Sequence, residues 1–311
     1  MNHADAYPTG RGLAGLSRPA ALLVVTGCYV VAAAAALGTA ALLHHRHPIT
    51  VALVADLVAT LVIFALSMLV ANSSLYDPYW SVVPPVVAIY WAVQAPDGLD
   101  AGAHFRQVAV VVLVFAWAIR LTGNWTIGWR GLTQEDWRYV DMRGSTRGRL
   151  PWWLVSLVGI QLVPTLVVFA GMLPLWPALG APRHSFNALD AVAIVVVAAA
   201  IATETVADNQ MRAFARDPAS HGRTINVGLW SRSRHPNYLG EIGFWCGLWL
   251  FGVAAAPTLW WTVVGPVVMV LLFETASIPM METRSLARRP DYAGYQRAVP
   301  RLLPVRLRAP R

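Results

Sequence analysis

The sequence predicts an all-α fold, a polytopic transmembrane helical bundle of about eight spans, on three observations. Of 311 residues, 57% are hydrophobic and 13% charged, against roughly 25% charged in a soluble globular domain. The apolar residues gather into segments close to the ~20 residues that a bilayer core requires. The arginines fall between those segments.

The segments run approximately 19–43, 49–71, 80–95, 105–122, 152–176, 187–207, 237–254 and 257–279. The first is too long for the core of a cleavable signal peptide and is followed by more spans, so it reads as a retained helix. The third is short and carries Pro84 and Pro85, which predicts a kinked or partly re-entrant helix supported by its neighbours. All 24 Lys-plus-Arg positions are Arg. With the N-terminus inside, the inward segments hold Arg11, Arg18 and the clusters in 130–149, 212–234 and 284–311, leaving only Arg46, Arg106, Arg120 and Arg183 elsewhere. This bias predicts that both termini are cytoplasmic and that the Arg-bearing loops form one cationic surface.

The net charge of +8 does not mark a nucleic-acid binder, because the arginines do not lie on one soluble face. Cys28 and Cys246 lie far apart inside apolar runs, which excludes a disulfide framework and a CxxC metal site. His44, His45 and His47 crowd a polar membrane boundary without a scaffold for coordination, and no metal is expected there. Neither GxGxxG nor a Walker motif occurs, so any nucleotide must be bound by the bundle itself.

Ionisable groups at membrane depth are costly and are functional candidates by default. Asp56, Asp77, Arg120, Glu204, Asp208, Glu241 and Glu274 qualify. Glu204, Asp208 and Arg212 are spaced i, i+4, i+8, which predicts one helix face turned into the bundle; a ladder of helix-end ion pairs reads the same way. In Ser231–Glu241, Pro236 is placed to open a helix, with Asn237 and Glu241 one turn apart. A helix start flanked by Arg232, Arg234 and His235 suits an anionic ligand, and suits equally a basic belt on anionic lipid. Asp77, within Tyr76–Ser81, lies in the loop without Arg, so partial desolvation would let it keep a proton near neutral pH and serve as a general acid. Tyr292 and Tyr295, among the arginines of the Glu282–Pro304 stretch, fit a lipid-surface tail or a phosphate pocket.

The run Gly228-Leu-Trp-Ser-Arg-Ser-Arg-His-Pro-Asn-Tyr-Leu-Gly-Glu241 resembles the signature of the steroid 5-alpha-reductase superfamily, and more narrowly its bacterial DUF1295 branch. Supporting features are Tyr76–Ser81 before a span, Arg120–Asn124 ahead of Gly128–Arg130, Asp208 at its helix end, and Tyr292–Tyr295 followed by Pro304. The Arg-His-Pro-x-Tyr core is shared with isoprenylcysteine-type membrane methyltransferases. The resemblance divides the chain into an N-terminal tail and extra helix over 1–48, a reductase-like domain over 49–305, and a basic tail over 306–311. It implies a seven-helix reductase bundle with one added span, in a bacterial inner membrane, that takes NADPH from the cytosol and reduces a lipid-borne enone.

By position, the resemblance places Asp208, Asn237 and Glu241 at the cofactor, with Asn124 and Arg130 nearby. His235 and Tyr238 of the same motif fall with them, and Arg130, Arg212 and Arg234 would meet the phosphates. Asp77 falls close to a family Glu that contacts the substrate carbonyl. Trp117 stands where the family carries a substrate-side Tyr, and an indole cannot donate a proton as a phenol does. The acid role then passes to Asp77 or Tyr79, or the substrate differs from a 3-oxo-steroid. The rival readings are an S-adenosylmethionine-dependent lipid methyltransferase and a non-enzymatic transport or structural membrane protein.

Overall fold

The computed structural model describes residues 15–304. The basic tail expected over 306–311, and Arg11 of the N-terminal tail, lie outside them. All regular structure among the described residues is helical: α1 (Arg18–Leu42), α2 (Pro48–Leu69), α3 (Tyr79–Ala92), α4 (Ala101–Gly128), α5 (Trp137–Thr146), α6 (Trp152–Met172), α7 (Ala188–Arg216), α8 (Pro236–Ala255), α9 (Pro257–Arg288) and α10 (Tyr292–Ala298). Seven of these, α1, α2, α4, α6, α7, α8 and α9, are long and apolar enough to cross a membrane. The third expected span is the exception. At 14 residues, α3 reaches about 21 Å against the ~30 Å of a hydrocarbon core, and Pro84 and Pro85 sit inside it.

Helix starts follow local chemistry. Pro48 and Pro236 occupy first positions, where the missing N–H costs nothing. Asn187 and Asp190 cap α7 reciprocally. Wide π turns occur at Val155–Leu162 within α6 and at Phe273–Ser277 within α9. Each lies just before a proline, Pro164 and Pro279, whose missing N–H and ring displace the i→i−4 ladder.

The chain forms two compact units, one comprising residues up to Gln94 with Trp117–Phe169, the other Ala95–Ala116 with the residues from Ala170 onward. In the first, α1 packs along α2. Buried hydroxyls there are mutually satisfied: Thr60 meets Thr165 at 2.9 Å and Tyr76 meets Thr165 at 2.7 Å. Ala71, with φ of 53°, takes the left-handed conformation that ends α2 and turns the chain into Ser73–Tyr76.

In the second unit α7 and α8 form the most extensive helix pair. Gly240, Gly243 and Gly247 line the contact, and small residues let membrane helices approach closely. A Cβ on Gly240 would lie 2.9 Å from the Ala200 carbonyl oxygen and against the Glu204 side chain, whereas one on Gly243 would meet only the Ala200 methyl at 3.3 Å. Gly240→Ala is therefore expected to lower stability by about 1–3 kcal/mol through overpacking, with Gly243→Ala far milder. Thermal unfolding of the two variants in detergent reads this, and equal melting of both would contradict the close approach.

Candidate functional site

The sequence-predicted residues divide between the two units. Asp77, Tyr79, Asn124 and Arg130 belong to the first; Asp208, Arg212, Arg234, His235, Asn237, Tyr238 and Glu241 belong to the second.

In the first unit, the turn at Asn72–Asp77 is clamped by the segment entering α5. Asn72 Nδ2 donates to the carbonyls of Leu132 (2.7 Å) and Gln134 (3.1 Å), and Ser73 N donates to Glu135 Oε1 at 2.9 Å. Asp136 N donates to Ser74 Oγ at 2.8 Å. Glu135 is itself held by Arg143 at 2.9 Å. On this frame Tyr139 Oη donates to Asp77 Oδ1 at 2.6 Å. Burial pushes the Asp77 carboxyl up to about 7, prevailing over the Tyr139 hydrogen bond and the Arg138 charge, which favour ionisation. A carboxyl poised there is divided between acid and base near neutral pH.

Tyr79, the first residue of α3, is directed elsewhere. Its hydroxyl donates to Asp56 Oδ1 at 2.7 Å, and the structure brings it to Asp56 rather than to Asp77. Asn124 is half-buried near the end of α4, and Arg130 is exposed just beyond it. Trp117 is buried in the same unit.

In the second unit, Gly228–Glu241 folds onto the C-terminal segment around one carboxylate. Glu282 accepts from Arg234 Nε (2.7 Å), Gln296 Nε2 (2.8 Å) and His235 Nε2 (3.1 Å). Arg234 Nη1 also donates to the carbonyls of Gln296 (2.6 Å) and Val299 (2.8 Å), closing the end of α10. Arg234, buried in this way, is an organising cation of the chain's own interior. Burial holds His235 below its usual range, against the raising effect of Glu282. The neutral ring, protonated at Nε2, satisfies the contact. Tyr295 Oη donates to the Trp230 carbonyl at 2.6 Å, and Thr224 Oγ1 to Asp291 Oδ1 at 2.6 Å, which keeps the Asp291 carboxyl below the usual range.

A cavity of about 70 Å³ opens beside this node, lined among others by Asn237, Tyr238, His235, Ser285, Arg289 and Tyr292. Asn237 Oδ1 is buried with no hydrogen-bond partner. Orphaned buried acceptors are uncommon enough to call for an explanation. Tyr238 is stacked between Phe273 and His235, with ring centroids 4.7 and 5.5 Å away. Glu241, one turn after Asn237, accepts from Trp245 Nε1 at 2.9 Å. On α7 the expected polar face is graded: Glu204 is buried, and Asp208 and Arg212 are half-buried.

Sequence reasoning missed Tyr139, Glu282 as a hub, and the pairing of Asp56 with Tyr79. Each is a contact between residues far apart in sequence, for which the chain itself carries no spacing signal.

A multi-helix membrane protein, with a polar node at the start of one apolar helix and an elevated carboxyl at the start of another, is the class that fold and site define. The chain belongs to the DUF1295 family, the steroid 5-alpha-reductase-like branch; the family model, described as a protein of unknown function, matches residues 63–299. An uncharacterized protein of Schizosaccharomyces pombe is 27% identical over 286 residues, covering 84% of this chain and 81% of the yeast protein. No solved structure matches the chain significantly.

Proposed function

We propose that this chain is a membrane-embedded, NADPH-dependent reductase that acts on a conjugated C=C of a sterol-like or isoprenoid lipid. The observation that carries the reading is the orphaned Asn237 Oδ1, buried beside Arg289 and Tyr292 in a motif that shares the reductase signature. A nicotinamide carboxamide offers the N–H that this oxygen lacks. The residues fit such a group, although a volume of about 70 Å³ receives one end of a dinucleotide rather than the whole. Asn237 would hold the carboxamide, with Tyr238 and Glu241 beside it. Asp208 would take a ribose or adenine group, and Arg212 a phosphate. NADPH, when bound, supplies the hydride.

Asp77 is the proposed acid. In its protonated form the carboxyl donates to the enone oxygen, stabilising the negative charge that develops there. Tyr139, donating to Oδ1, fixes the carboxyl's orientation and leaves the proton on Oδ2. The lipid reaches the site from the bilayer.

Titration of NADPH into the full chain in nanodiscs tests the reading. Binding is expected to weaken with salt and to fall about tenfold in Asn237→Ala, the worth of one well-placed hydrogen bond. Binding of S-adenosylmethionine with none of NADPH would replace the reductase by a methyltransferase. The Arg distribution further supports both termini lying on the cytoplasmic side, which requires the short α3 to complete an eighth crossing beside the seven long helices. Reporter fusions at Arg311 and near Gly180 are expected to give opposite sidedness, with a periplasmic C-terminus refuting the topology.

A further inference from the structure

The corner between α5 and α6 carries two arginines that the fold itself does not use. On α5 the cations are matched: Arg138 Nε meets Asp136 Oδ1 at 2.8 Å, and Arg143 lies between Glu135, at 2.9 Å, and the Trp152 ring, 4.1 Å from its centroid. Arg147 and Arg149, which follow, are exposed, and their guanidinium groups make no hydrogen bond or ion pair with any described residue. We infer that this corner is a binding site for the phosphodiester of an anionic phospholipid, with Arg147 and Arg149 on the phosphate and Leu150 and Trp153 among the acyl chains.

The backbone builds the corner without either side chain. Ser145 Oγ and Thr146 Oγ1 donate to the Met142 carbonyl at 3.1 and 2.7 Å. Arg147 N donates to the Gly144 carbonyl at 3.4 Å, and Arg149 N and Leu150 N to that of Thr146 at 2.9 and 3.1 Å. Gly148, with φ of 76°, supplies the left-handed turn between the two arginines. The closing carbonyls of α5 thus have donors already, and neither guanidinium is needed as a cap. Arg143, over the Trp152 ring, ties α5 to the first residue of α6, so the corner is a fixed element rather than a tether.

Because α6 is one of the apolar spans and begins at Trp152, the stretch Arg147–Trp153 sits where the hydrocarbon ends. Leu150 and Trp153 are 51% and 53% exposed there. An indole suits that depth, with an apolar body for the acyl chains and an N–H for a headgroup oxygen. The stretch contains no acidic residue, and Glu135 and Asp136 before it are paired within α5's own frame. Unmatched positive charge therefore lies at the level of the lipid phosphates, whose oxygens fit the guanidinium fork. A zwitterionic lipid carries an ammonium beside its phosphate, which two arginines repel. A soluble phosphate would leave Leu150 and Trp153 without a partner.

The site uses neither Asp77 nor the Glu282 node, so it holds or fails apart from the reductase reading. Its test is photolabelling of the full chain, in uncharged detergent micelles, with a phosphatidylglycerol bearing a diazirine near its headgroup. Labelling is expected on peptides spanning 140–158, to be displaced by dioleoylphosphatidylglycerol, and to resist dioleoylphosphatidylcholine, inorganic phosphate and polyglutamate. Each cation at a lipid surface is worth about fivefold, so Arg147→Gln/Arg149→Gln should weaken phosphatidylglycerol competition about 30-fold. Arg216→Gln/Arg223→Gln, with the same loss of charge at exposed positions of the second unit, should stay within about twofold. Trp153→Ala should weaken both lipids alike and leave their ratio unchanged. Competition is read within each variant, and Arg147 and Arg149 hold nothing internally, so misfolding does not imitate the loss. Equal displacement by phosphatidylcholine, unaltered competition in Arg147→Gln/Arg149→Gln, or an equal loss in the control pair would overturn the assignment. Displacement by inorganic phosphate would assign the corner to a soluble anion instead, and displacement by polyglutamate to an acidic protein segment.

Discussion

Asp77→Asn is expected to lower turnover by about two to three orders of magnitude, the order of effect of losing an oxyanion-stabilising group, because the amide keeps an N–H but has no acidic proton to share with the developing oxyanion, while NADPH binding stays at the wild-type level. The carboxyl acts as a donor only while protonated, and burial places its titration at about 7. Wild-type turnover should therefore fall as pH rises through 7, and the residual rate of Asp77→Asn should lose that limb. Linkage gives a second readout. The folded-state value lies above the unprotected value of 3.8, so the folded chain binds more protons between the two. The stability associated with this group is present below pH 4 and is lost as pH rises through 7. Melting of the wild type should decline over that window, and Asp77→Asn should flatten the decline. Tyr139→Phe, which removes the orienting hydroxyl, should reduce turnover without eliminating it. An Asp77→Asn variant that turns over like the wild type would remove Asp77 from the chemistry.

Much of the scaffold was legible because membrane helices advertise themselves by length and composition. The seven long helices fall where apolar runs fall, and α8 begins at Pro236 for the reason its sequence suggests. The weak third span was legible as well, since Pro84, Pro85 and shortness all pointed the same way, and α3 is 14 residues long. Asp77 stood out because its loop lacks Arg, and its carboxyl is raised as a desolvated acid should be. What the sequence withheld is pairing. Asp56 was conspicuous as a charge in a span and Tyr79 as a neighbour of Asp77, but only packing reveals that Tyr79 turns to Asp56 and Tyr139 to Asp77. Arg234 illustrates the converse. Its motif suggested a phosphate ligand, and the structure directs its guanidinium to Glu282 and two carbonyls 62 and 65 residues away.

The largest loss of stability is expected at a pair outside both candidate sites, Arg106 and Asp190, whose side chains are 0% exposed. Nε and Nη2 of Arg106 meet the two Asp190 oxygens at 2.7 Å each, and its remaining donors reach the carbonyls of His184 and Ser185, both at 2.8 Å. Asp190 Oδ2 also accepts from Asn187 N at 2.9 Å, and Asn187 Nδ2 reaches the Ala254 carbonyl at 3.0 Å, so the pair joins the first turns of α4 and α7 to the end of α8. Asp190→Ala strands a buried guanidinium and uncaps α7, with an expected cost of about 3–5 kcal/mol. Arg106→Met should cost less, because the remaining carboxylate keeps the Asn187 amide as a donor. The double variant Arg106→Met/Asp190→Leu is expected to be more stable than Asp190→Ala, since no charge is left unpaired, yet short of wild type. The His184 and Ser185 carbonyls would then lose their donors, at about 1–3 kcal/mol each when buried. Denaturant unfolding in mixed micelles orders the three variants. A loss below about 1 kcal/mol for Asp190→Ala, the range of an exposed ion pair, would show that the bidentate contact does not hold these helix ends together.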